Sequence, residues 1–168
     1  PNTLFKGIYK FHPGYKMIVN AYGIKSYEPY WNPKNDFSIK TEEEQIDEIN
    51  EAFEKSVKYR MVSDVPIGTF ISGGVDSSAV LANMSKNTSN SINTFSVGFE
   101  NSPEFDELQY ANRISKLFNT NHHEVIVKPN DFKELISNIS EVFDDPLADP
   151  TSIPIYFLTK LAKQTQTK

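Results

Sequence analysis

The chain has no cysteine among its 168 residues. That absence excludes disulfides, thiolate metal sites and a cysteine nucleophile. It has no apolar run near the roughly 18 residues needed to cross a membrane, so no membrane partner is expected. It also has no basic excess. The 17 Lys and Arg stand against 22 Asp and Glu, for a net charge of −5, which argues against nucleic acid as a partner. No internal repeat or low-complexity tract stands out, and no secretory segment opens the sequence. Asn87-Thr88-Ser89 and Asn138-Ile139-Ser140 fit the glycosylation pattern, but nothing else points to secretion, and a cytoplasmic protein is expected. What is present is bulk: 12 Phe and 8 Tyr offset an apolar fraction of 38%. A chain of this length can bury about 70% of its unfolded surface. It is one domain, or one domain with an attached piece of another.

The most informative stretch is Val65 to Ser78. Ile67 to Ile71 is short, apolar and β-branched, bounded by Pro66 and Gly73, and reads as a buried strand. Ser72-Gly73-Gly74 reads as a tight turn that glycine passes easily. Asp76-Ser77-Ser78 then opens the apolar run Ala79-Val80-Leu81-Ala82 with residue types that cap helices. A strand, a glycine turn and a helix start make an anion site, because the first N–H groups of a helix lack partners and its dipole favours negative charge. Gly68 and Gly73 have the spacing of the first two Walker A glycines, but Gly74 and Val75 stand where Lys and Ser or Thr are required, which excludes that loop.

Elsewhere the chain alternates. Residues 1–33 hold strand-like runs at Tyr15–Val19 and Ile24–Tyr27 with turn signals between, and Asn32 to Asp36 reads as a linker. Thr41 to about Met61 is expected to be a helix, with a Thr41–Glu44 capping box and an apolar face of Ile46, Ile49, Phe53, Val57 and Met61. Ile92–Phe99 and His122–Val127 read as strands. Glu104–Phe118 reads as a helix with Leu108, Ala111, Ile114 and Leu117 on one side. Asp131–Phe143 and Ser152 to about Gln164 are expected to be further helices. Such alternation predicts an α/β fold with a parallel sheet and helices on both faces. Ligands then bind beyond the carboxyl ends of the strands, flanked near Val97 to Glu100 and Lys128. The His122-His123 pair cannot easily share a metal, since neighbours on a strand point to opposite faces.

Ser72-Gly73-Gly74-Val75-Asp76-Ser77 matches the SGGxDS loop of ATP pyrophosphatases. With Asp64-Val65-Pro66, Thr94 to Phe99, His122-His123-Glu124 and Asp144 to Pro154 in order, the chain resembles the synthetase domain of glutamine-hydrolysing asparagine synthetase from about residue 3 to 165. The resemblance implies an adenine-nucleotide α-hydrolase-like (PP-loop) three-layer domain, incomplete, with a short N-terminal β segment. By it, residues 1–33 are the terminal strands of an upstream glutaminase-type domain and the crossing from it, and residues 34–168 are part of the synthetase domain. It implies ATP-dependent amidation of aspartate through β-aspartyl-AMP, with ammonia drawn from glutamine. The cofactors are ATP and Mg²⁺, and the arrangement is compatible with a homodimer of the full-length protein. Ser72, Gly73, Gly74 and Ser77 would hold pyrophosphate, Asp76 would hold Mg²⁺ or cap the helix, Ile71 and Val97 would meet the adenosine, and Asp145 and Asp149 would border the acceptor.

Two departures bear on this. The family's glutaminase nucleophile is an N-terminal cysteine, and the sequence has none. The family's second motif, SGxGxDE, with a further metal-binding Asp and a catalytic acid, is expected beyond Lys168. The chain is therefore expected to be a fragment that binds ATP weakly and does not make asparagine alone. Alternatives are a relative that closes a β-lactam ring or amidates a sugar or peptide carboxylate, and a non-catalytic nucleotide-binding module.

Overall fold

The periodicities of the sequence become strands and helices in a computed structural model that describes residues 2–34, 40–102, 107–143 and 149–167. The chain divides into two units, Pro1–Glu42 and Glu43–Lys168. In the first, β1 (Tyr15–Asn20) and β2 (Gly23–Pro29) pair antiparallel with Asn20 opposite Gly23. The turn between them is closed by Asn20, whose side-chain oxygen accepts the Tyr22 N–H at 2.9 Å. Tyr27 gathers the local aromatics, with the Phe11 ring edge-on at 5.4 Å and the Tyr15 ring at 5.0 Å. Phe5 to Phe11 forms no strand; Asn2 and Tyr9 make only an isolated bridge. Two strands bury little on their own, and within the unit Ile18 and Ile24 are exposed.

The second unit runs α1 (Glu42–Arg60), β3 (Gly68–Phe70), α2 (Val75–Lys86), β4 (Asn93–Phe99), α3 (Leu108–Leu117), β5 (Asn121–Val127), α4 (Pro129–Ser137), α5 (Ile139–Val142) and α6 (Ser152–Gln164). Its strands form a parallel sheet in the order β3-β4-β5, with Phe70 beside Phe95 and Phe95 beside His123. The period of two sends alternate β4 residues to opposite faces. Phe95 and Val97 pack on Leu158, Leu161 and Ala162 of α6. The opposite core joins Val57 of α1, Leu81 and Met84 of α2 and Ala111 of α3 with Ile71 and Ile92. This is the expected α/β parallel sheet with helices on both faces. The two histidines of β5 also divide between the faces. His123 stacks on Phe95 at 5.2 Å, while His122 Nδ1 lies 2.9 Å from the buried Thr94 hydroxyl.

Some expectations are corrected. Leu117 is 71% exposed, and Ser115 takes the buried place. The inward stripe of α3 runs 111, 114, 115, 118, and the Ser115 hydroxyl is satisfied by Thr120 at 2.8 Å. Ile46 and Ile49 are exposed, so only the second half of the α1 stripe is covered among the described residues. The helix expected over Asp131–Phe143 breaks at Asn138, whose N–H reaches back to Leu135 in a three-residue turn before α5 begins. Glu104, at the expected start of α3, and Asp36 of the linker lie outside the described residues.

Candidate functional site

β3 ends at Phe70, and Ile71 continues its line by donating its N–H to the Phe95 carbonyl at 2.9 Å. The chain then turns through Ser72 and Gly73. Gly73 has φ +82°, in the left-handed region where only glycine is unstrained. It is also packed hard: a Cβ there would stand 2.4 Å from Tyr110 Cβ and 2.9 Å from the Ala111 backbone nitrogen. Gly74 is different. Its backbone is extended at φ −71°, ψ 164°, and it is the N-cap of α2. Only Gly73 therefore meets the expectation that the turn needs glycine's freedom. Asp76 is not the cap either; it lies inside the first turn of α2.

The loop is braced by hydroxyls. Ser77 Oγ accepts the Ser72 N–H at 3.3 Å and donates to the Gly74 carbonyl at 3.3 Å. Ser72 Oγ accepts the Gly74 N–H at 3.2 Å and lies 3.3 Å from Ser77 Oγ. The Ser78 N–H is the first to bond within the helix, to the Gly74 carbonyl at 3.1 Å. The N–H groups of Gly73, Val75, Asp76 and Ser77 find no protein acceptor among the described residues. Four donors in one turn at the positive end of a twelve-residue helix form a ready acceptor of anions.

A cavity of about 200 Å³ opens beside them, lined by Phe70, Ile71, Ser72, Ser77, Ser96, Val97, Glu107, Ala111 and Leu158. It thus gathers four of the residues singled out in the sequence, Ile71, Ser72, Ser77 and Val97. Gly73 and Gly74 of the adjoining loop, and Asp76 in the first turn of α2, do not line it. Its base is fixed by Ser96, buried in β4, whose hydroxyl donates to the Ile71 carbonyl. Glu107, Ala111 and Leu158 were not anticipated. Glu107 stands just before α3 and makes no side-chain cap bond; it follows β4 on the carboxyl side, a position the carboxyl-edge rule marks out. Glu100 and Lys128 do not line the cavity: the Glu100 N–H bonds Val127, and the Lys128 N–H bonds the Asp131 carboxylate at 3.0 Å.

Asp76 is exposed, and its carboxylate makes no ion pair or hydrogen bond among the described residues. No group of three or more metal-ligating side chains occurs there. A single exposed carboxylate beside amides that lack an acceptor among the described residues is a donor set that fits Mg²⁺, which takes one or two carboxylates and completes its shell with other oxygens and water. Asp149 is hydrogen-bonded within its own turn. Its carboxylate accepts the Thr151 N–H at 2.9 Å and hydroxyl at 2.7 Å, and these bonds hold its pKa below the usual value. Asp145 lies outside the described residues. No helix among the described residues is long and apolar enough to cross a membrane.

A parallel sheet, a braced glycine loop at its carboxyl edge and a helix start with free donors define a phosphate-loop type of α/β domain. The asparagine synthase family model matches residues 48–168, and the chain belongs to that family. It is 35% identical to asparagine synthetase [glutamine-hydrolyzing] 1 of Bacillus subtilis over 98% of this chain and 26% of that protein. It is 34% identical to a putative asparagine synthetase [glutamine-hydrolyzing] 2 of Methanocaldococcus jannaschii, over 98% of this chain and 32% of that one. The chain thus spans a quarter to a third of the length of these relatives. An NH3-dependent NAD synthetase from Campylobacter jejuni overlaps 72% of this chain and 53% of that one at 14% identity, with a TM-score of 0.45, too low to bear on this chain's chemistry.

Proposed function

We propose that the loop and its cavity are the nucleotide half of an ATP-dependent amidating site. The carrying observation is the set of unpartnered N–H groups at Gly73, Val75, Asp76 and Ser77 beside the cavity of Ile71 and Val97. Those donors take the pyrophosphate of ATP, with each hydrogen bond to a charged oxygen contributing about 1.5–3 kcal/mol net. Because their directions are set before ligand arrives, they stabilise charge on the departing pyrophosphate without reorganisation. The adenosine lies against Ile71 and Val97. A cavity of about 200 Å³ is smaller than ordinary ligand pockets of roughly 300–1,000 Å³, which suits a partial site. When bound, Mg²⁺ would be held by Asp76 and would neutralise phosphate charge.

In the full-length protein, the carboxylate of aspartate attacks the α-phosphate to give β-aspartyl-AMP and pyrophosphate, and ammonia then displaces AMP. The ammonia comes from glutamine, hydrolysed in a separate domain whose last strands are β1 and β2. The names of the relatives, which include glutamine hydrolysis, support this reading. Aspartate-dependent exchange of pyrophosphate into ATP by the full-length protein, and its loss in Asp76→Ala with glutamine hydrolysis retained, is the expected result. Unchanged exchange in Asp76→Ala removes Asp76 from metal binding. The 168-residue chain alone is expected to show no exchange, and any reproducible signal from it refutes the partial-site reading.

A further inference from the structure

Glu107 is the one charged side chain among the described residues that line the cavity beside the phosphate loop. Its backbone is fixed. The Glu107 carbonyl accepts the Tyr110 and Ala111 N–H groups, both at 3.0 Å, and these are the residues packed behind Gly73. Its carboxylate, by contrast, is not used by the fold. Glu107 stands at the N-cap position of α3, yet its side chain makes no cap bond, and it has no ion pair or other hydrogen bond among the described residues. An ionised carboxylate accepts hydrogen bonds and donates none. Beside amides that take anions it repels what they bind, so it weakens the site unless the ligand brings it a donor or a cation.

We propose that Glu107 reads the sugar of the nucleotide, its two carboxylate oxygens accepting the 2′ and 3′ hydroxyls of a ribose. The inference rests on the nucleotide reading of this cavity. With the phosphates on the loop amides and the base against Ile71 and Val97, the sugar must join them across the same cavity of about 200 Å³. The donors a ribose offers are hydroxyls. The serines of the lining are engaged: Ser96 Oγ donates to the Ile71 carbonyl, and the Ser72 and Ser77 hydroxyls brace the loop. Glu107 is left, and its paired oxygens match a vicinal diol. A carboxylate takes a ribose hydroxyl in the same way in dinucleotide sites at the carboxyl ends of parallel strands. A cation is the other occupant a carboxylate accepts. The apolar walls that Glu107 shares, Ile71, Val97, Ala111 and Leu158, suit the edge of a nucleoside better than a hydrated Mg²⁺, which keeps several waters.

Calorimetric titration of the full-length protein tests this, with ATP, 2′-deoxy-ATP, 3′-deoxy-ATP and pyrophosphate at one fixed Mg²⁺ concentration and without aspartate, in the parent and in Glu107→Ala. The variant is expected to fold, because Glu107 is exposed and only its backbone is bonded. Water reaches an exposed carboxylate, so each missing hydroxyl should weaken binding to the parent about ten- to hundredfold, not the roughly 10⁴-fold of a sealed site. Glu107→Ala is expected to bind all three nucleotides alike, at the level of the deoxy forms in the parent, and to bind pyrophosphate as tightly as the parent or more so. A preference for ATP retained in Glu107→Ala overturns the proposal. Pyrophosphate affinity that falls together with ATP affinity in Glu107→Ala overturns it in favour of a cation at Glu107. A parent that binds pyrophosphate and all three nucleotides alike refutes the ribose contact and leaves the phosphate-loop reading standing, whereas a parent that binds none of the four ligands refutes both.

Discussion

Gly73→Ala and Gly74→Ala are expected to act on different properties, although the two glycines are neighbours in one loop. At Gly73 a methyl meets two costs. The φ of +82° disfavours any L side chain by about 1–2 kcal/mol. The methyl also falls 2.4 Å from Tyr110 Cβ and 2.7 Å from its carbonyl carbon. These are not flexible side-chain ends, so α3 must move, at about 1–3 kcal/mol for an overpacked site. Together the loss is about 2–5 kcal/mol, a large share of the roughly 5–15 kcal/mol that keeps a domain folded. At about 2–4 °C per kcal/mol for a chain of this size, that corresponds to a fall in melting temperature of about 4–20 °C. At Gly74 the backbone suits any residue, and the nearest atom to a new Cβ is Ser72 Oγ at 3.2 Å. The lost cap preference there, about 1 kcal/mol at most, is offset by a stiffer unfolded chain worth about 0.4–1 kcal/mol. Stability should stay within about 1 kcal/mol of the parent. The methyl nevertheless crowds the hydroxyl that braces the free amides, and pyrophosphate affinity should fall at least tenfold. Urea unfolding and calorimetric titration with pyrophosphate, applied to both variants, separate the two effects. A Gly73→Ala protein within about 0.5 kcal/mol of the parent refutes the packing of the loop on α3. A Gly74→Ala protein that binds pyrophosphate as the parent does refutes the assignment of the anion to this loop.

Other outcomes follow from single contacts. Asp76→Asn should leave unfolding within about 1 kcal/mol, the worth of one helix-dipole charge, yet abolish the Mg²⁺ dependence of nucleotide binding in a titration with and without the metal. Thr94→Val keeps the shape of a fully buried side chain but strips partners from Thr120 and from His122 Nδ1, now 2.7 and 2.9 Å away. It should cost about 1–3 kcal/mol in urea unfolding. His122 is held below its ordinary pKa, first by burial, with Glu124 at 3.3 Å opposing. Below pH 6.5 the unfolded chain therefore takes up the proton more readily than the folded one, and stability should fall as pH drops through the window beneath 6.5. In unfolding measured from pH 7.5 to 5, that slope should flatten in His122→Asn, and an unchanged slope would assign the effect elsewhere.

The sequence made the helices and strands legible where one face of each is apolar, because burial and period coincide there. Ile92 to Phe99 and Ser152 to Gln164 were read within a residue of their observed limits for that reason. It misled where a polar residue is buried by an exact partner. Ser115 displaced Leu117 from the core only because Thr120 waits for its hydroxyl, and no periodicity encodes that. Asn138 ends α4 through a local backbone bond that hydrophobic spacing cannot foresee. At the site, the loop was legible as residues, but its two glycines were not distinguishable. Gly73 is required by a left-handed backbone and a close neighbour 37 positions later at Tyr110, whereas Gly74 is extended.

That long-range contact explains how the loop can keep its donors free. A peptide turn left to itself folds its N–H groups onto its own carbonyls, since unmet donors out of water are costly. Here the backbone of α3 stands directly behind Gly73, and the hydroxyls of Ser72 and Ser77 bond the loop from within. Gly73, Val75, Asp76 and Ser77 are thereby held out of reach of internal acceptors on the side open to ligand. Ser77→Ala tests the second half of this support. It removes the acceptor for the Ser72 N–H without touching α3, so folding should weaken by only about 0.5–1.5 kcal/mol. Pyrophosphate binding should weaken further than the loss of one hydroxyl donor accounts for, by tenfold or more, because the remaining amides are no longer aimed. If Ser77→Ala binds as tightly as the parent, the aim of those amides comes from the backing helix alone, and the serine brace has no part in binding.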